Sequence, residues 1–174
     1  MTNVLVAYAT KMGATREIAE AIARRLRAAG IDVSVREAAA VENLEGMDAA
    51  VIGSALYASR WRPEAVALLS RIAQRDTAAP TWLFQSGPCN HDTDLTAVPV
   101  PKKIQQLAAR LGAAPPVTFG GRIESDTAVG FLARRMAKGP LGGDYRDFTE
   151  IARWADEVAQ RITETATPTT TLAH

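Results

Sequence analysis

Five short apolar runs alternate with stretches of helical periodicity, and that alternation constrains this chain more than any other feature. The first run, Asn3-Val4-Leu5-Val6-Ala7-Tyr8, is too short for a helix and rich in strand formers. Thr10-Lys11-Met12-Gly13-Ala14-Thr15 breaks it. Residues 15–29 then place Ile18, Ala19, Ile22, Ala23 and Leu26 on one helical face, with Gly30 as a natural stop. Ile31, Val33 and Val35 alternate with polar residues, the pattern of a strand near a sheet edge. Residues 49–54, 81–86 and 117–123 are further strand-like runs. Helices are expected from Pro63 to Ala73, over 104–111, and from about Phe148 to Ile162. Strands separated by helices predict a doubly wound α/β domain, a five-stranded parallel sheet with helices on both faces. In such sheets ligands bind beyond the carboxyl ends of the strands. The loops after residues 8, 54, 86 and 123 are therefore where a site is expected.

Composition narrows the field. A chain of 174 residues is the size of one domain, expected over 1–162, with the threonine-rich stretch 163–174 as a loose tail. Hydrophobic residues at 47% and charged residues at 22% argue against general disorder. One cysteine forms no internal disulfide, and two histidines beside it are too few for an all-protein zinc cage, so no metal is expected. Lys+Arg 20 against Asp+Glu 19 gives a net charge of +1, which argues against a nucleic-acid face. No apolar run reaches membrane-spanning length and no signal-peptide pattern opens the chain, so a cytoplasmic protein is expected.

The first loop has the makings of a phosphate site. Thr10 and Thr15 supply hydroxyls, Gly13 lets backbone amides approach a ligand, and the helix start adds partial positive charge. An ordinary helix cap at Thr15 accounts for that residue equally well. The loop is neither a Walker A motif nor a G-x-G-x-x-G fingerprint. Beside it, the third run ends in Gly53-Ser54-Ala55-Leu56-Tyr57, small residues that allow close approach, followed by Tyr57 and Trp61 as stacking candidates. Those aromatics serve as well to cover the next helix. The fourth run ends in the polar turn Ser86-Gly87-Pro88-Cys89-Asn90-His91-Asp92. A phosphate cradle flanked by two loops able to stack on and hydrogen-bond a ring system matches the needs of flavin mononucleotide (FMN).

Val6-Ala7-Tyr8-Ala9-Thr10-Lys11-Met12-Gly13-Ala14-Thr15 resembles the FMN phosphate-binding signature of flavodoxins, with Ala7 smaller than usual. Its continuation Thr15-Arg16-Glu17-Ile18-Ala19, and Gly142-Gly143-Asp144-Tyr145-Arg146-Asp147-Phe148 near the other end, resemble the branch that includes menaquinone-dependent protoporphyrinogen IX dehydrogenase. The resemblance implies a flavodoxin-like sheet of order 2-1-3-4-5 with FMN at its carboxyl edge. It implies that Thr10, Lys11, Met12, Gly13, Ala14 and Thr15 hold the phosphate. Ser54, Ala55, Leu56 and Tyr57 would line one side of the isoalloxazine; Ser86, Gly87, Pro88, Cys89, Asn90 and His91 would line the other.

Two functions fit this reading. One is an FMN-dependent oxidoreductase similar to protoporphyrinogen IX dehydrogenase, with a small-molecule or quinone redox partner. The alternative is a flavodoxin-type electron-transfer protein without a small-molecule substrate. Carriers are usually acidic, and a net charge of +1 steers poorly toward basic partners, which tilts the balance to the enzyme. The segment 124–146 is longer than a connection needs and carries Phe131, Leu132 and Met136 beside Arg134, Arg135 and Lys138. It suits a lid, a substrate contact, peripheral membrane contact through 127–138, or a solvated helix with its apolar side on the sheet. This region is longer, more aromatic and more basic in the dehydrogenase branch. His91 is the candidate catalytic residue, a proton donor or acceptor, against the plainer role of bonding its own loop. Cys89 reads better as a small loop residue than as a redox-sensitive thiol. A phosphate-accepting response-regulator module is excluded, because the first run ends in Tyr8-Ala9-Thr10 without the acids that hold magnesium.

Overall fold

β1 (Asn3–Ala9) is the spine of the sheet because both its faces are apolar. Val4, Val6 and Tyr8 point into one core, and Leu5, Ala7 and Ala9 into the other. The computed structural model describes residues 1–75, 79–87, 93–123, 135, 138 and 143–166. The expectations for Pro88, Cys89, Asn90 and His91, for most of 124–142 and for 167–174 lie outside those residues.

After β1 come α1 (Ala14–Ala28), β2 (Asp32–Glu37), β3 (Ala49–Tyr57), a short β4 (Arg60–Trp61) and α2 (Pro63–Gln74). β5 (Thr81–Gly87), α3 (Lys102–Arg110), β6 (Val117–Gly120), β7 (Arg122–Ile123), β8 (Gly143–Asp144) and α4 (Phe148–Ala166) complete the order. The parallel sheet runs β2-β1-β3-β5-β6, with β2 at the edge, as its alternating sequence predicts. This is the expected 2-1-3-4-5 order, renumbered because the two-residue β4 intervenes. The expected fifth strand over 117–123 is split into β6 and β7, and β7 leaves the main sheet to pair antiparallel with β8. The last helix continues past Ile162 to Ala166, so part of the expected tail is helical.

α1 and α4 cover one face through Ile18, Ile22, Leu26, Ile151, Val158 and Ile162. α2 and α3 cover the other through Leu68, Leu69, Ile72, Ile104 and Leu107. Each such side chain taken fully out of water contributes roughly 1.5–3 kcal/mol before entropy is charged against it. Phe84 and Phe119 from the sheet and Trp154 from α4 form an aromatic triangle with centroids 5.7–6.2 Å apart. Gly53 makes room for it, since a Cβ there would fall on the Phe84 ring. Its smallness thus serves the core and not, as the sequence suggested, a ligand. Among the described residues no helix is long and apolar enough to cross a membrane.

Candidate functional site

The parallel strands bring residues 9–15, 54–62 and 86–87 to one edge of the sheet. Ala9 pairs with Ser54, and Ala55 with Ser86. Three of the four loops named from the sequence, those after residues 8, 54 and 86, are therefore neighbours as far as they are described.

In the first loop, the Gly13 amide donates to Thr10 Oγ1 (2.9 Å), which curls the chain into a tight turn. Gly13 sits at φ 86 as the N-cap of α1 and has no side chain to cap the helix. The first-turn amides thus face outward without the usual capping hydroxyl or carboxylate. Thr15 is buried, and its hydroxyl shares a 2.8 Å hydrogen bond with Ser86 Oγ from β5. It is therefore no N-cap; it ties the start of α1 to the carboxyl end of β5. A recess of about 110 Å³ beside Thr10 is bounded by Glu37 and Glu64, whose carboxylates suit no phosphate. The uncapped amide end of α1 suits an anion better than that recess does. Tyr8, which precedes the loop, is buried; that burial, and then Glu37, pushes its phenol above the ordinary value.

The second loop is a hairpin. β3 continues to Tyr57 because β4 pairs back on it, Leu56 opposite Trp61 and Tyr57 opposite Arg60. Ala58 and Ser59 make the two-residue turn with φ of 48 and 58. Ser54 is fully buried and shapes the hairpin from beneath, accepting from the Arg62 amide (2.9 Å) and donating to the Ala55 carbonyl (2.9 Å). Trp61 is not a stacking group. It is 4% exposed, packs in the core under α2, and donates from Nε1 to Gln85 Oε1 (2.9 Å). Gln85 in turn donates to Thr118 Oγ1 (3.0 Å), a polar chain across three strands beneath the site. Tyr57 is half-buried, with Lys11 Nζ 3.9 Å from its ring centroid. That contact joins the phosphate loop to the hairpin. Ala55, Leu56 and Gly87 lie beside it, and Met12 and Ala14 complete the first loop.

Sequence reasoning missed a third support. Glu17, in the first turns of α1, receives Arg146 Nη1 at 2.6 Å and Arg122 Nη2 at 2.8 Å. Arg146, 3% exposed, also donates from Nε and Nη2 to Asp144 (2.8 and 2.7 Å). Arg146 holds the Glu17 carboxyl below its ordinary range, with Arg122 adding to the effect, and holds Asp144 low as well. The Gly-Gly-Asp-Tyr-Arg stretch was the available signal, but its partner lies 129 residues away.

A flavodoxin-domain family model matches residues 5–138. The chain belongs to the flavodoxin-domain family. No curated protein matches it at a significant level. Among solved structures, flavodoxin 2 from Bacillus cereus in its oxidised form is 17% identical at TM-score 0.60, covering 94% of this chain and 99% of that one. A Streptococcus pneumoniae flavodoxin is 17% identical at TM-score 0.61, with 94% and 99% covered. The rubredoxin:oxygen oxidoreductase of Desulfovibrio gigas is 14% identical at TM-score 0.65. It is matched over 96% of this chain, which spans only 37% of that larger protein. These likenesses show the shared fold.

FMN is the cofactor of the flavodoxin family, and the residues present fit it. The uncapped amides behind Gly13 and the Thr10 and Thr15 hydroxyls suit its phosphate, and no acid interrupts residues 10–15. Bound FMN supplies acceptance and release of one or two electrons, and the protein is an FMN-binding redox protein. Residues 10–15 would hold the phosphate end, and Tyr57 would stand at the ring side.

Proposed function

We propose that this flavodoxin-domain protein is an FMN-dependent oxidoreductase that dehydrogenates a lipophilic, carboxylate-bearing substrate of the protoporphyrinogen type. FMN held at residues 10–15 would supply the redox chemistry, by which two electrons and two protons are removed from the substrate and a quinone is reduced to its quinol. The observation that carries the reading is the charge at the site. Residues 10–15, 54–62 and 86–87 contain Lys11, Arg60 and Arg62 and no acid, while Glu37 and Glu64 border Thr10 from neighbouring segments. Such a rim repels the basic faces that acidic carriers serve and attracts carboxylates. Arg60 is exposed, Arg62 is paired with Glu64 (3.3 Å) and Lys11 lies over the Tyr57 ring. Among the described residues of these loops, Lys11 and Arg60 are therefore the cations without a carboxylate partner in reach to meet a substrate. His91 is assigned proton transfer as the substrate is oxidised, and 127–138 a contact with the membrane surface where quinone resides. The setting proposed is the cytoplasm.

Purified protein should be yellow and release FMN on denaturation; a colourless protein that takes up no FMN overturns the reading. With FMN bound, protoporphyrinogen should turn over with a menaquinone analogue as acceptor. His91→Ala should lower that turnover and change its pH profile, and an unchanged profile removes His91 from the chemistry. The second reading, an electron carrier, is favoured by the end-to-end match to flavodoxins of similar length. Fast exchange with redox proteins, without substrate turnover, would establish it.

A further inference from the structure

The first turn of α1 must be rigid to bind an anion well, since amides that need ordering lose part of the binding energy they supply. A capping side chain usually provides that rigidity, and Gly13 provides none. Three other contacts hold this turn. Thr10 Oγ1 takes the Gly13 amide, the Ser86 hydroxyl takes or gives the hydrogen of Thr15, and Glu17 is gripped by two guanidinium groups. The Glu17 amide itself donates to the Gly13 carbonyl (3.2 Å), so the carboxylate and the glycine turn belong to one hydrogen-bonded loop of backbone.

We propose that Glu17 is a positioning residue for the flavin phosphate: gripped by Arg122 and Arg146, it fixes the first turn of α1 whose amides receive that group. This rests on FMN being the ligand. The grip is long-range, spanning 105 and 129 residues, so it is no local helix pair. It is also stiff. Arg146 is almost wholly buried between Glu17 and Asp144, and separating a buried guanidinium from its carboxylates leaves an uncompensated charge. Its planar fork fixes direction as well as distance. Behind it, the Tyr145 amide donates to the Gly121 carbonyl (2.9 Å), and a Cβ on Gly120 would collide with the Tyr145 backbone. The β7–β8 ribbon is thus seated against β6, and α1 is referred to the sheet through it.

Position and charge predict opposite signs, which makes the proposal testable. By charge alone, Glu17→Gln removes a negative group near a phosphate and should tighten FMN binding. By position, it loosens the turn and should weaken FMN binding while sparing riboflavin, which has no phosphate. The experiment titrates both flavins into apoprotein by fluorescence quenching, for wild type, Glu17→Gln and Arg146→Lys. The thermal midpoint of each apoprotein is recorded alongside. Expected is a loss of roughly tenfold in FMN affinity for both variants, the scale of one weakened charged hydrogen bond, with riboflavin changed less than about twofold. Tighter or unchanged FMN binding in Glu17→Gln overturns the proposal. So does an equal loss of both flavins, which marks a merely structural role. If Glu17→Gln fails to fold, Arg146→Lys decides by the same comparison. Wild-type protein that binds neither flavin removes the FMN reading, and this inference with it. Wild-type protein that binds FMN while the variants match it removes the inference alone.

Discussion

The phosphate loop and the β3–β4 hairpin face each other across the site and are built in opposite ways. The phosphate loop keeps its amides open and is braced from outside, by Ser86 on one flank and the Arg122 and Arg146 pair on the other. The hairpin is closed on itself: Ser54 fastens Arg62, Trp61 fills the core, and strand pairing sets the turn. The difference follows from what each must present. An anion is held by backbone amides, which must be left unspent. A ring needs only a surface, so the hairpin is free to satisfy its own polar groups.

The largest effect expected from this contrast is at Trp61. Trp61→Ala removes a buried indole from the core under α2 and should cost about 3–5 kcal/mol in denaturant unfolding. FMN affinity of the protein that remains folded should change little. A large loss of FMN affinity with little loss of stability would restore Trp61 as a stacking group and break the comparison. Next is Thr15→Val, which keeps the shape but leaves Ser86 without this hydroxyl partner. It should cost about 1–2 kcal/mol in the same measurement and weaken FMN more than riboflavin. A variant with wild-type FMN affinity would show that Thr15 braces the loop without touching phosphate.

The smallest effect is in pH. Glu17 and Asp144 titrate below their ordinary values of 4.5 and 3.8 in the folded protein. Groups with depressed values stabilise the fold above the unfolded range, and that stability is lost as pH falls through the folded values. The difference in thermal midpoint between wild type and Arg146→Lys should therefore be full near about pH 7 and shrink toward about pH 3. A difference that stays constant across that window would show that the carboxylates are not what Arg146 holds. Both carboxylates are partly exposed, so solvent screening keeps the effect modest.

The hairpin was hard to read for a local reason. A two-residue turn with both φ positive usually announces itself as Asn-Gly or Asp-Gly. Here it is Ala58-Ser59, residues with no preference for that geometry, held there by the pairing of Leu56 with Trp61 and Tyr57 with Arg60. Trp61 was ambiguous for another reason. An aromatic after a strand suits a ring surface or a core, and only the position of α2 and Gln85 distinguishes them. The glycine at 53 looked like room for a ligand because its neighbour in space, Phe84, is a strand away.

The amino-acid sequence by itself determined the layered architecture, because the period of apolar residues sets which faces are buried whatever the partners. It also determined the tight turn of the first loop, where the Thr10 hydroxyl and the Gly13 amide lie three residues apart and bond within their own segment. The tertiary structure alone decided what braces that loop. Glu17 meets Arg122 and Arg146 only because β6, the β7–β8 ribbon and α4 bring the far end of the chain back to α1. Pattern along a chain encodes burial and local turns; an ion pair across more than a hundred residues is encoded only in the packing that closes the distance.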